Sequence, residues 1–479
     1  MITLAGLGTT KDGLSLKAFK AISGAKKVMC RTQFTESAAV FKENDIDVEF
    51  LDDVFENSRN FDSLNKKLAA RVMEAAKTQD VVYCVDGSVA DDNSCAIILK
   101  KCKNVEIIEA ASHSAKALGG LDFRGGYTSL SAYRKDKFNS SVMLPLAVYD
   151  LDDKLTASEW KLLLTDAFGD EAPAAIYING KIHKIALYEA DSFENYGYDT
   201  VLVVFDRKFT EKERFNINDL FDIITALRAE NGCPWDRDQT RESIKNNLIE
   251  ESYEMYDAIN NGDIDGILEE SGDMFLQLVF HTLFAEEEHS YNRGDVFTGI
   301  CSKMIFRHSH VFGSDNAGNG EQALDVWEKN KTKEKGYKNG REYIDCVPHS
   351  FPALMRAQKM QKRAAKYNFD FSSIEQIYQK IAEETEEVRQ AKRAIDECNA
   401  VEKDKKLEAL KGEIGDLLFS VVNLARFYKI DAEEALKTTC DKFLKRFSAL
   451  EEAIEKDGKD MKNMTEEEID KYYNEIKKS

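Results

Sequence analysis

The spacing of hydrophobic positions changes once along the chain. From residue 1 to about 205, short β-rich runs (MITLAGLG, KKVMC, DVVYCV, VEIIEA, VMLPLAVYD, AAIYI and TVLVVF) alternate with helical stretches such as SLNKKLAARVMEAAK. That alternation predicts an α/β domain. After Phe205 the β signal ends, a polar stretch DRKFTEKERFN follows, and the rest is helical in period almost to its end. Gly and Pro gather again in KGYKNGREYIDCVPHSFP, residues 335–352, and divide the helical part in two. The expected organisation is multidomain: 1–205, α/β; 215–340 and 345–479, all-α.

The two helical parts repeat one another. The first reads IEESYE, EESGDMFLQLVF, KMIFR and WEKNK; the second reads AEETEE, GEIGDLLFSVV, KFLKR and YNEIK. Four elements recur in one order, in units somewhat longer than most solenoid repeats.

Turned by about 100° per residue, the helix around 267–284 is apolar over nearly its whole circumference, which predicts a buried helix. Its one polar stripe is Glu270, Asp273, Gln277 and His281. On the preceding helix Glu251 and Glu254 share a face, so packing the two helices would converge four carboxylates. Buried carboxylates need a cation, and oxygen-only ligands suit Mg²⁺ or Mn²⁺. In an acid-rich chain one such quartet is an ordinary solvated face. The second part, however, repeats it as Glu384, Glu387, Glu413 and Asp416.

Each quartet is followed by basic and aromatic positions: Lys303, Arg307, Trp327 and Lys331, then Lys442, Arg446, Tyr473 and Lys477. Singly these are solvated helix faces and packing residues. Together, a metal on carboxylates, further positive charge and an aromatic face fit a nucleoside polyphosphate. No GxxxxGK[ST] occurs, so the phosphate cradle of a P-loop is missing.

Composition narrows the partners. With 86 acidic against 66 basic residues the net charge is -20, which disfavours nucleic acid and anionic lipid surfaces. Nine cysteines without a CxxC pair or a zinc-like cluster suit reduced thiols, and no apolar stretch approaches the roughly 20 residues of a spanning helix. A cytoplasmic protein without membrane contact is expected.

The stretch ENGCPWDRDQTRESIKNNLIEESYEMYDAI, with LEESGDMFLQLVFH, resembles the MazG family of nucleoside triphosphate pyrophosphohydrolases, and KGEIGDLLFSVVNLARF with DKFLKRFSALE resembles its second repeat. The resemblance implies all-α, four-helix-type bundles, a homodimer, and Mg²⁺-dependent hydrolysis of NTP or dNTP to NMP and pyrophosphate. It places the EExxE element on Glu250, Glu251 and Glu254 and on Glu383, Glu384 and Glu387. The ExxD element falls on Glu270 and Asp273 and on Glu413 and Asp416. Nucleotide contacts are implied for the eight basic and aromatic positions named above. Arg241 stands where the family usually has His, and Tyr473 where Trp is usual. The second repeat has 26 positions from Glu387 to Glu413 against 16 from Glu254 to Glu270.

Residues 1–205 resemble the tetrapyrrole methylase family, through LAGLGTTKDGLSLKAFKAISGAKKVMCRT and DVVYCVDGSVADD. Both loops depart from the family pattern: Thr9 and Thr10 follow Gly8 where Pro-Gly is usual, and Asp86, Gly87, Ser88 and Val89 replace a Pro-Gly-x-Pro run. The changes remove turn geometry and add a carboxylate, which speaks against S-adenosylmethionine as a cofactor. Two other functions compete with hydrolysis: an S-adenosylmethionine-dependent methyltransferase with a dimerisation module, and a non-catalytic nucleotide sensor.

Overall fold

The computed structural model describes residues 1–59, 61–398 and 402–477. They form two compact units, Met1–Phe297 and Thr298–Ser479.

The first unit opens with β1 (Ile2–Gly6), β2 (Val28–Cys30), β3 (Glu49–Phe50), β4 (Val81–Val85) and β5 (Val105–Ile108), which form an all-parallel sheet in the order β3-β2-β4-β1-β5. β1 and β4 are buried at every position, as expected for parallel strands covered on both faces. Leu4 faces Tyr83 in register, and Leu68, Val72 and Ile98 pack on the same cluster.

β6 (Thr128–Ser131), β7 (Leu146–Tyr149), β8 (Pro173–Ile178), β9 (Lys181–Ala186) and β10 (Val201–Val204) form a second, mixed sheet in the order β6-β7-β10-β8-β9. Trp160, fully buried, anchors its core and donates its indole N–H to the Ala132 carbonyl at 2.8 Å. The last strand ends at Val204, where the sequence pattern loses its β signal.

Helices follow. In the first unit the Ile217–Arg228 helix packs on the C-terminal half of the Ile264–Glu287 helix through Phe221, Ile224, Phe280 and Phe284. The second unit is helical, with its longest elements at Ile374–Asp396, Lys403–Phe427 and Ala432–Lys456. No helix of the described residues is long and apolar enough to cross a membrane.

Candidate active site

In the first repeat the Asn247–Asn261 helix ends at Gly262 in the left-handed conformation, φ 66°, which a side chain would strain. Asp263 then caps the Ile264–Glu287 helix by accepting from Gly266 N at 3.0 Å. This short connection folds the two helices against each other. It brings carboxylate oxygens of Glu251, Glu270 and Asp273 within 4.8 Å of one another. Glu254 is exposed and lies outside that trio, as does Glu250. Partial burial, reinforced by the neighbouring carboxylates, pushes the Glu251 and Glu270 carboxyls above their ordinary range. Buried Gln277 donates to Glu251 Oε1 at 3.3 Å.

The expected all-round burial of this helix is not found. Its C-terminal half is buried, but Leu268 is 74% exposed, and Phe275 and Leu278 are more than half exposed. A 3.6-residue period shows that a face is apolar, not that the same chain covers it.

In the second repeat Glu384 and Glu387 on the Ile374–Asp396 helix meet Glu413 on the Lys403–Phe427 helix, again with oxygens within 4.8 Å. Glu384 is only 4% exposed, and its Oε2 is buried without a partner. Its other oxygen lies 2.6 Å from Lys380 Nζ, one helical turn earlier. The Glu387 carboxyl is raised, first by its hydrogen bond with Glu384, then by burial and by the Glu413 charge. Asp416 is exposed and outside the trio, yet it lines the adjoining cavity.

That cavity, of about 730 Å³, is bounded by Glu384, Glu387, Asp416, Lys380, Phe369 and Arg426, among others. Arg426 is fixed by Asp370 and by Asn423 Oδ1 at 2.7 Å.

The basic and aromatic positions fare differently in the two repeats. Arg307 is buried, its guanidinium 5.0 Å from the centroid of Trp327, and its Nε binds Glu334 at 2.7 Å. Lys331 covers the same ring at 4.5 Å, and burial lowers its pKa. Lys303 is half-buried and acts on Glu334 by its charge. In the later set Lys442 and Lys477 are exposed and Arg446 and Tyr473 half-buried. Among the described residues there, Tyr472 has an ammonium beside its ring, that of Lys459 at 5.3 Å.

The model of the MazG nucleotide pyrophosphohydrolase domain matches residues 239–312 and 372–450, which contain both carboxylate trios. Over 259 residues, 54% of this chain and 94% of the relative, the sequence is 40% identical to the nucleoside triphosphate pyrophosphohydrolase/pyrophosphatase MazG of Thermotoga maritima. The chain belongs to the MazG family. It is also 32% identical, over its whole length and 98% of the relative, to the uncharacterized protein YabN of Bacillus subtilis. Among solved structures, the precorrin-6Y methylase of Archaeoglobus fulgidus covers 43% of the chain at 17% identity with a TM-score of 0.33.

Several cavity residues of the second MazG repeat carried no signal in the carboxylate pattern: Lys380, Phe369, Asn423 and Arg426. Lys380 alone was accessible to sequence reasoning, because i,i+4 spacing to Glu384 puts both on one face. The corresponding position of the first MazG repeat, four residues before Glu251, is Asn247.

Proposed function

We propose that the chain hydrolyses nucleoside triphosphates to nucleoside monophosphate and pyrophosphate, and that the second MazG repeat holds the nucleotide. The observation that carries this reading is the opening of the Glu384–Glu387–Glu413 cluster onto a cavity of about 730 Å³. Ligand pockets commonly have that size.

The donor set fits a divalent metal. It offers carboxylate oxygens only, one of them an unpartnered buried Oε2, and the Glu387 carboxyl is raised by its hydrogen bond with Glu384, by burial and by the neighbouring charges. Glu251, Glu254, Glu270 and Asp273 would hold such an ion in the first repeat, and Glu384, Glu387, Glu413 and Asp416 in the second, with Mg²⁺ or Mn²⁺ preferred by oxygen ligands. A bound divalent ion would supply charge neutralisation for the phosphates and acidify water.

The protein's own groups supply the rest. A carboxylate whose pKa is raised, as in Glu387, is suited to take a proton from water attacking the α-phosphorus. Lys380 and Arg426 place positive charge at the cavity wall. Lys303, Arg307, Trp327 and Lys331, and Lys442, Arg446, Tyr473 and Lys477, are read as further nucleotide contacts.

The segments 1–205, 215–340 and 345–479 are read as a methylase-like domain and two MazG repeats. Exposed apolar faces at Leu268, Phe275 and Leu278 and at Ile414, Leu418 and Val421 support a homodimer, and nine cysteines without a CxxC pair support a reducing, cytoplasmic setting. Product analysis with each NTP and dNTP, with and without Mg²⁺, tests the reading. Release of orthophosphate instead of pyrophosphate, or no turnover, would refute it.

A further inference from the structure

The first unit contains a second cavity, of about 320 Å³, unrelated to either carboxylate trio. It opens where ligands commonly bind in α/β sheets, beyond the carboxyl ends of strands. Arg31 follows β2, Asp86 and Gly87 follow β4, and Asp150 and Asp152 follow β7.

The wall is acidic: five aspartates against one arginine and one histidine. Two of the five have cations of their own. Arg31 Nη1 binds Asp92 Oδ2 at 2.8 Å, and His113 Nε2 lies 2.5 Å from Asp86 Oδ2. Asp91, Asp150 and Asp152 form no ion pair among the described residues. Asp150 accepts a hydrogen bond from the Ser131 hydroxyl at 2.7 Å, and Asp152 Oδ1 is buried with no partner. Burial raises all three carboxyls, Asp91 and Asp150 to about 6 each.

The wall also carries five aromatic rings beside neutral polar residues such as Thr32, Asn65 and Asn93. Phe61 stacks on Tyr133 with ring centroids 4.0 Å apart, and Phe55, Tyr149 and Tyr198 are the other three rings. Such rings attract organic cations.

Charge and the lack of a converging carboxylate trio select among ligands. Phosphates and polycarboxylates would be repelled by the unpaired aspartates. A bare metal ion would need several ligand atoms at one point, and the described residues converge three His, Cys, Asp or Glu side chains only in the two MazG clusters. Carboxylates that do not converge on one point, with aromatic rings among them, instead match positive charges spread along an apolar chain. We infer that this cavity binds an aliphatic polyamine, with Asp91, Asp150 and Asp152 as its ammonium acceptors.

Spermidine is the probe. Calorimetric titration of the full chain with spermidine is expected to show saturable binding of one molecule per chain. Asp150→Asn and Asp91→Asn are each expected to weaken it about tenfold, the effect of losing one charge-assisted contact worth about 1.4 kcal/mol. Asp166→Asn, an exposed charge in the same unit, should leave it unchanged. Asn keeps the size of Asp and can still accept from Ser131, and circular dichroism checks the fold of each variant. No saturable binding, or equal weakening by Asp166→Asn, overturns the inference. A parallel titration with S-adenosylmethionine separates the other organic cation of suitable size. Tighter binding of S-adenosylmethionine than of spermidine, with the same dependence on Asp91 and Asp150, would overturn the polyamine assignment.

Discussion

Lys380 Nζ lies 2.6 Å from Glu384 Oε1, so the most buried carboxylate of the second MazG cluster already has a cation beside it. Its pairing with Glu384, and with Glu383 at 2.9 Å, raises the Lys380 pKa. A lysine so placed can balance the cluster before a metal arrives and then turn towards phosphate. Lys380→Ala should lower the melting temperature in metal-free buffer by the equivalent of roughly 1–3 kcal/mol, the cost of a buried acceptor left unmatched. Added Mg²⁺ should narrow that difference. A gap that metal does not change would mean the lysine acts as a packing residue.

Removing one carboxylate from each trio separates the repeats. Glu387→Gln should lower kcat for NTP hydrolysis by at least about a hundredfold, the scale of a lost general base. Asp273→Asn should have the smaller effect, because the large cavity adjoins the second cluster. The reverse order in steady-state assays would move the reaction to the first repeat.

Arg307 is buried against Trp327 and bonded to Glu334. Arg307→Ala should cost about 2–3 kcal/mol in urea unfolding, less than for a fully buried pair because Glu334 is partly solvated. Arg307→Lys should recover little of it, since an ammonium cannot lie flat on the indole.

Asp150 gives a pH dependence of definite sign. Its carboxyl is raised from 3.8 to about 6 in the folded chain, so the folded state holds the proton more tightly than the unfolded one. Stability from this group is complete below about pH 3.8 and is lost as pH rises to about 6. Asp150→Asn should therefore raise stability at pH 7.5, by at most roughly 3 kcal/mol, and change it little at pH 3.5. Thermal melts at the two pH values check the sign.

The exposed apolar faces give a test of assembly. Leu268→Glu or Leu418→Glu should shift the protein towards monomer in light scattering while leaving its helical signal intact, since both residues are more than half exposed. Loss of helical signal instead would place these residues in the core of one chain.

Much of the fold could be read from local pattern. Seven of the ten strands sit in runs whose β-branched and apolar content identified them, and β1, β4 and β10 are buried at every position. The three that escaped are the two-residue Glu49–Phe50, the polar Thr128–Ser131 and the lysine-bearing Lys181–Ala186. Each lies at the edge of its sheet, where polar side chains are tolerated and pattern is weak. The MazG resemblance was also legible, in the stretches ENGCPWDRDQTRESIKNNLIEESYEMYDAI and KGEIGDLLFSVVNLARF, while carboxylate spacing alone pointed only to a cation site.

Tertiary structure decided what spacing could not. Helical period puts Glu251 with Glu254, and Glu413 with Asp416, on common faces, but convergence depends on how two helices cross. The structure admits Glu251, Glu270 and Asp273 in one repeat and Glu384, Glu387 and Glu413 in the other. The cavities at Lys380 and Arg426 and at Asp91, Asp150 and Asp152 join residues tens of positions apart, so no local window contains them. Local pattern showed which helices would present acid and which apolar runs would be strands, since those follow from a period of 3.6 or from apolar content. Only the folded chain decided which charges stand without a partner, because desolvation and distance are properties of packing.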